Sequence, residues 1–297
     1  MTKGSNRPRL LRETAEIALT LIKRYIEGEL MERFSMRRVS APLFLEADSP
    51  LHDPGDKVAI SLPHRRGEFA IVRGLDRWLR EQLVRYDIAP GFGVFTVMQA
   101  LRPELPETAT QSCHVSAWAC QYMITPEEAV TERLIEMARV IYSLLLDTER
   151  MILDKFPHLS ATLPEKLVPV DTDELARRYP ELSPGRREYT CLHAAENRAL
   201  LVIDDLKARL VVWNPEAGCP LTLAEMSIDS APAATSVGGT LLRDQIAMQI
   251  LHQPHLLQYS FSATVTPLHS LFNLPPCAST SSPSSPKCST HPSTAPF

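Results

Sequence analysis

The spacing of apolar residues in the first third of the chain predicts two helices with short strands between them. Across residues 9–34, apolar side chains recur every three or four positions with Lys, Arg and Glu between them, which is typical of a helix with one buried face. Residues 57–62 and 69–72 have the composition of short strands. Helical spacing returns at residues 76–86.

The rest of the pattern adds strands and two further helices. Thr125-Pro126-Glu127-Glu128 combines a capping hydroxyl, a proline at the first helical position and a glutamate three residues after the cap. It predicts a helix that begins at Thr125 and ends at Phe156-Pro157. Residues 241–251 also have helical spacing. Strands are predicted at residues 94–99, 199–203, 210–213 and 221–228. Consecutive strands mixed with helices favour an α+β fold.

Composition sets the number of domains. The 297 residues are 44% hydrophobic, which is enough for one sizeable core. We assign residues 1–258 to one domain. Residues 275–297 are rich in Ser, Thr and Pro and cannot bury enough surface to offset their ordering entropy, so we expect a disordered tail there.

Charge and cysteine spacing exclude several classes of function. The net charge of −4 argues against a nucleic-acid partner. No stretch approaches ~18 consecutive apolar residues, so no membrane span is expected. The first residues lack an apolar signal region, and we therefore expect a cytoplasmic protein. The six cysteines form no C-x-x-C pair, and no metal ligands are assigned.

The clearest candidate chemistry follows the strand at residues 94–99. Arg102 and Glu104 come where this strand ends. The planar guanidinium of arginine matches the geometry of a phosphate, which makes Arg102 a candidate phosphate ligand. A surface ion pair at the strand end is the alternative interpretation.

Short segments in a fixed order give the chain a family resemblance. Ala100-Leu101-Arg102-Pro103-Glu104 resembles the second, arginine-bearing motif of the class II aminoacyl-tRNA synthetase fold. Between about Arg9 and about Gln258, the chain is similar to asparagine synthetase A, the ammonia-dependent aspartate–ammonia ligase. Further matching segments are Val39-Ser40-Ala41-Pro42, Arg178-Tyr179-Pro180, Val212-Trp213-Asn214-Pro215 and Pro254-His255. The resemblance implies a central, mostly antiparallel sheet flanked by helices, like the catalytic core of a class II synthetase.

The resemblance also implies a reaction and a set of site residues. In the family, aspartate and ATP form an aspartyl-adenylate, pyrophosphate leaves, and ammonia attacks the activated carboxyl group. ATP and Mg²⁺ would be the cofactors of an active member. A homodimer is implied through the first helix and Pro42. The implied nucleotide-binding residues are Arg102, Glu104 and Arg243, and the substrate-binding residues are Asp53 and Trp118.

Two substrate-binding runs of the family are altered in this chain. The family run Asp-Gln-Trp-Asp-Trp-Glu corresponds to Ser116-Ala117-Trp118-Ala119-Cys120-Gln121, which keeps one tryptophan and loses both aspartates. The family run Ser-Leu-Ala-Lys-Trp-Lys-Arg corresponds to residues 74–80, where Gly74 replaces the serine and Leu79 replaces a lysine. The side chains that would hold aspartate are therefore largely missing.

The later motifs have changed as well. The metal-binding glutamate of the family falls on Thr222, and an arginine falls on Asp229, a reversal of charge. Gln245 takes the place of the arginine that clamps ATP, and Arg243 lies about 200° away around a helix. The two-residue period of a strand predicts that Glu225 and Thr222 point to opposite faces.

Two functional interpretations remain open at this point. One is a degenerate family member that keeps the fold and weak adenine-nucleotide binding. The other is an active ligase in which Arg243, Glu225 and His114 take over lost roles. A tRNA ligase is disfavoured by the negative charge and by the lack of a preceding anticodon-binding domain.

Overall fold

The computed structural model describes residues 10–53, 62–64, 67–102, 113–194, 199–215, 218–231 and 234–252. The predictions for residues 57–61 and for the tail at residues 275–297 lie outside these ranges. The helices are α1 (Arg12–Glu32), α2 (Asp76–Arg85), α3 (Thr131–Lys155), α4 (Thr172–Arg178), α5 (Pro184–Ala194) and α6 (Arg243–Leu251). The strands are β1 (Met36–Arg38), β2 (Phe44–Glu46), β3 (Leu62–His64), β4 (Gly67–Ile71), β5 (Gly93–Leu101), β6 (His114–Met123), β7 (Val168–Asp171), β8 (Ala199–Asp204), β9 (Lys207–Asn214), β10 (Cys219–Ala231) and β11 (Ala234–Leu242).

Most of the described strands form one sheet of eight, in the order β1-β5-β6-β11-β10-β9-β8-β7. The pairs β1–β5 and β7–β8 at its two edges are parallel, and the pairs between them are antiparallel. A smaller sheet has the order β2-β4-β3. The predicted α+β fold, with a mostly antiparallel central sheet flanked by helices, is confirmed.

The two faces of the central sheet are covered differently. On one face, α1, α3 and α6 pack over a large apolar core that includes Phe95 and Trp118. The other face is covered at one end by α2, which packs on β5 and β6, and at the opposite end by α4 and α5, which pack on β7, β8 and β9. The strands between these two patches are left open, and a cleft lies there.

The apolar face of α1 is buried within the chain itself. Ala18, Ile22 and Ile26 have at most 1% of their surface exposed and belong to the large core. This apolar face needs no partner surface, because the chain's own core, with α3 and α6, covers it. Leu11 and Ile17 remain exposed on the helix. The homodimer stays a prediction.

Two helix starts differ from their predicted positions. Glu128 accepts a hydrogen bond from the backbone N–H of Thr125 at 2.9 Å, so the capping box exists. It closes a single 3-10 turn, Pro126–Glu128, and α3 begins only at Thr131. Leu241 and Leu242, predicted as helical, complete β11 instead.

None of the described helices is long and apolar enough to cross a membrane.

Candidate functional site

The cleft on the open face of the sheet consists of two adjoining cavities. The first, here called the strand cavity, has a volume of about 320 Å³ and is lined mainly by β8, β9, β10 and β11. The second, the helix cavity, has a volume of about 590 Å³ and lies against α2 and the loop before it. Both cavities are lined by Asp76, Arg102, Lys207 and Ser227. These shared residues mark the centre of the candidate site.

Arg102 lies at this centre because of its position directly after β5. It continues the alternation of Met98 and Ala100, which are buried on the α2 side of the sheet. Its Nε donates to the backbone oxygen of Arg73 at 3.3 Å, which fixes the guanidinium over the cleft. One of its terminal nitrogens lies 3.8 Å from Oε2 of Glu225. Arg102 and Glu225 therefore converge on one site from different strands.

Glu225 reaches the cleft because β10 contains an irregularity. The pairing of β10 with β9 shifts register between Thr222 and Ala224. Leu223 and Ala224 both face the large core, so Thr222 and Glu225 lie on the same, cleft-side face. The prediction of opposite faces is wrong, because a strict two-residue period does not hold across a bulge.

Asp53 lies in the helix cavity and caps α2. Its carboxylate accepts from the backbone N–H groups of Asp76 at 3.2 Å and Arg77 at 3.0 Å. A carboxylate at a helix N-terminus is favoured by the unpaired N–H groups and the helix dipole. A Cβ on Gly74 would collide with this carboxylate, so the loss of a side chain at Gly74 makes room for Asp53.

Arg80 and Asp229 form an ion pair in the helix cavity. Arg80 projects from α2, and Asp229 is two positions beyond Ser227 on the cleft-side face of β10. The side chain of Arg80 is 20% exposed and that of Asp229 is 46% exposed. Most of the Arg80 side chain is therefore shielded from solvent inside the cleft.

Asp76 was missed by sequence reasoning, although it stands at the first position of α2 and lines both cavities. Burial, followed by the charge of Asp53, raises its pKa from 3.8 to about 6. Glu225 adds to this increase, while Arg80 and Arg102 oppose it. Asp76 is thus a carboxyl group whose charge changes near neutral pH. No local signal separates it from an ordinary acidic residue at a helix start.

Trp118 and Arg243 are not brought to the cleft. Trp118 is fully buried on the α1 side of the sheet, where its indole N–H donates to Glu27 at 3.2 Å. Arg243 follows Leu242, which faces the α2 side, and so turns to the opposite side near Lys23 and Glu27. Burial lowers the pKa of Arg243 there. Glu104 lies outside the described residues.

The positions that lost polar groups are filled by apolar packing. Ala117 and Ala119 point towards α2 and are fully buried against it, in one cluster with Leu79 and Leu83. Leu79 itself is 0% exposed. The space between α2 and β6 is therefore part of the hydrophobic core rather than a polar pocket.

The acidic residues of the described chain are not clustered as in a protein-built metal site. Within the described ranges, no group of three or more His, Cys, Asp or Glu residues is arranged to hold a metal ion. The carboxylates that line the cleft are spread among cations instead: Arg102 lies beside Glu225, and Arg80 beside Asp229. The described residues alone therefore offer no preformed cluster of three ligands for a magnesium ion.

Sequence comparison relates the chain to one group of ligases. The family model described as aspartate–ammonia ligase matches residues 13–208. Curated aspartate–ammonia ligases of Bacillus cytotoxicus and Bacillus cereus are each 34% identical to the chain over 197 residues, which is 65% of this chain and 59% of theirs. The chain thus spans about three fifths of the length of these relatives.

Structural comparison agrees with the fold described above. An asparaginyl-tRNA synthetase of Entamoeba histolytica, in complex with asparaginyl-adenylate, has a TM-score of 0.60 and 10% identity, over 82% of this chain and 65% of that one. The Pyrococcus horikoshii enzyme, also with asparaginyl-adenylate, has a TM-score of 0.60 and 8% identity, over 82% and 66%. Identities this low show only the fold, which is that of class II aminoacyl-tRNA synthetases.

Proposed function

The chain belongs to the aspartate–ammonia ligase family, and from that premise we propose that it is a degenerate member that binds an adenine nucleotide weakly and makes no asparagine. The observation that carries this proposal is the apolar cluster of Leu79, Ala117 and Ala119. Aspartate offers an ammonium and two carboxylate groups, each of which needs a charged or polar partner once water is removed. Burial without such partners costs several kcal/mol.

The ion pair between Arg80 and Asp229 supports the same conclusion. Arg80 is a cation in the helix cavity that could hold a substrate carboxylate. Asp229 already supplies a carboxylate to it from within the chain. A substrate carboxylate would have to displace Asp229 and would then lie beside a second negative charge. Asp229 therefore acts as an internal competitor of an acidic substrate.

Nucleotide binding is proposed for the strand cavity and Arg102. A volume of about 320 Å³ lies at the lower end of the range for small-molecule pockets. Arg102, Lys207 and Arg209 line it and can face the phosphates. Arg209 is also paired with Glu188 at 2.6 Å, and Arg102 with Glu225 at 3.8 Å, so both arginines have an internal partner to give up. Affinity should be low for this reason.

The active ligase is the second candidate function. It is favoured by the convergence of Arg102 and Glu225 and by the two further carboxylates, Asp53 and Asp76, in the same cleft. It is disfavoured by the position of Arg243 behind the sheet, which prevents this residue from replacing the lost ATP clamp. In an active enzyme, Asp76 and Glu225, which both line the strand cavity, would be the described carboxylates available to hold magnesium together with the ATP phosphates.

An assay of the purified chain separates the two candidates. The chain is supplied with aspartate, ammonium, ATP and Mg²⁺, and both asparagine and pyrophosphate are measured, with a Bacillus aspartate–ammonia ligase as the positive control. We expect no asparagine above the background without protein. Turnover at about 1 per second or faster, within the ordinary range for enzymes, would refute the proposal and establish the second candidate.

A further inference from the structure

The charged lining of the helix cavity contains more cations than carboxylates. The cations come from the loop before α2, from α2, from the end of β5 and from the start of β9: they are Arg73, Arg77, Arg80, Arg102 and Lys207. The carboxylates in the lining are Asp53, Asp76 and Asp229. A cavity of about 590 Å³ with this lining attracts anions and repels an ammonium group.

Apart from the carboxylate of Asp76, the carboxylate and side-chain amide acceptors in the lining of this cavity already have partners within the protein. Both carboxylate oxygens of Asp53 accept from the start of α2. Asp229 is paired with Arg80, and the side-chain oxygen of Gln121 accepts from the hydroxyl of Ser236 at 2.9 Å. What Gln121 can offer to a ligand is its NH₂ group, which is a donor. A ligand with acceptor oxygens therefore fits the lining better than one with donors.

We infer that the helix cavity is a binding site for small dianions without an ammonium group, held by Arg77, Arg102 and Lys207. Dicarboxylates and phosphate-like oxyanions share this chemistry. The inference rests on the proposed loss of aspartate ligation, since a site that holds aspartate must accept hydrogen bonds from an ammonium group. The inference therefore names the class of ligand that the altered cleft accepts in place of aspartate.

Asp76 couples this site to pH. It lines both cavities, and the charges that act on it are those of Asp53, Arg80, Arg102 and Glu225. The other charged residues that line the two cavities are Arg73, Arg77, Asp204, Lys207, Arg209 and Asp229. An ionised Asp76 repels a dianion, and a protonated one does not. Its raised pKa of about 6 places this change within the range where the protein can be studied. Dianion binding should therefore take up a proton near neutral pH.

Succinate and aspartate form a matched pair of probes, because they differ only by the ammonium group. Isothermal titration calorimetry at low ionic strength and pH 7.5 should show succinate binding about tenfold more tightly than aspartate, a difference equal to one lost charge-assisted contact. Sulfate, which stays a dianion at every pH used, tests separately whether the cavity binds phosphate-like oxyanions. Competition between sulfate and succinate would show that both occupy one site.

Variants then identify the residues that hold the dianion. Arg77→Gln should weaken succinate binding about tenfold, whereas Arg85→Gln, on the same helix but outside both cavities, should leave it unchanged. Asp76→Asn should tighten sulfate binding at pH 7.5. It should also abolish the increase in sulfate affinity that the parent shows as the pH falls from 8 to 6. Circular dichroism spectra and melting curves check that each variant is folded.

The outcomes separate this inference from the proposed function. Aspartate binding as tightly as succinate, or no binding of succinate and sulfate at tens of millimolar, would overturn the inference even if no asparagine is formed. Formation of asparagine in the ligase assay would overturn the proposed function and this inference together. A pH dependence that survives in Asp76→Asn would remove Asp76 from the site and leave the dianion preference standing.

Discussion

Arg80 and Asp229 stand 149 positions apart in the sequence and form an ion pair inside the cleft. The pair joins α2 to β10 across the open face of the sheet. Because Asp229 neutralises Arg80 within the cavity, an anionic ligand can pair with Arg80 only by displacing Asp229. The affinity of this cleft for anions is therefore set partly by competition within the protein.

Asp229→Asn should release Arg80 and increase the affinity for ATP and for succinate. We expect a gain of about three- to tenfold at low salt, equivalent to about 1 kcal/mol for a partly exposed charge pair. Calorimetry on the parent and the variant measures it. Asp154→Asn removes the same charge from the exposed side of α3 and serves as the control. An equal gain in affinity in both variants would mean that the effect comes from net charge alone and not from the release of Arg80.

Arg102→Ala should weaken ATP binding at least about tenfold, because Arg102 lines both cavities and its guanidinium is fixed by Arg73. Fluorescence of a labelled adenine nucleotide, or calorimetry, gives the two dissociation constants. The Arg85→Gln variant is the matched control for loss of one positive charge. Nucleotide binding that is unchanged in Arg102→Ala would show that the phosphates lie elsewhere.

Asp76→Asn should raise stability at pH 7.5 but not at pH 3.5. The pKa of Asp76 in the folded chain, about 6, is above its ordinary 3.8, so the ionised form is disfavoured by folding. This cost is absent below pH 3.8 and fully present above pH 6, and the asparagine side chain never incurs it. We expect a gain of about 1–2 kcal/mol in the free energy of unfolding by urea at pH 7.5. A gain of the same size at both pH values would contradict the titration argument.

Asp53→Ala should destabilise the chain by about 1 kcal/mol, because two N–H groups at the start of α2 lose their acceptor. The melting temperature should fall by about 2–4 °C. Asp53→Asn keeps one acceptor oxygen and should recover part of the loss. A melting temperature unchanged in Asp53→Ala would mean that water satisfies these groups equally well.

A homodimer should appear in light scattering at micromolar concentration. Leu11 and Ile17 are 79% and 59% exposed on α1, and the family resemblance places the dimer contact at this helix and Pro42. Leu11→Glu together with Ile17→Glu should produce monomers, whereas the same change at Val140 on α3, also exposed, should not. A monomeric mass for the parent chain would contradict the prediction.

The sequence predicted the elements more successfully than the directions of their side chains. Helix α2 and strand β5 were expected almost where they lie, because α2 has a helical period and β5 is a continuous apolar run. Trp118 was expected in the cleft, but β6 is buried on both faces and its sequence contains no alternation to tell them apart. Glu225 was expected on the wrong face, because nothing in the local pattern signals the bulge near Leu223. The partnership of Arg80 with Asp229 depends on the whole fold and has no local signal.

The place of β6 in the sheet has a consequence for how the chain is made. Its neighbours are β5, which precedes it closely, and β11, which ends at Leu242. While a ribosome is still producing the residues between them, one long edge of β6 has no strand to pair with. Such late pairing slows folding and exposes apolar strands to association with other chains. A nascent chain released before Ala234 should therefore aggregate, whereas release after His252 provides every strand of the central sheet.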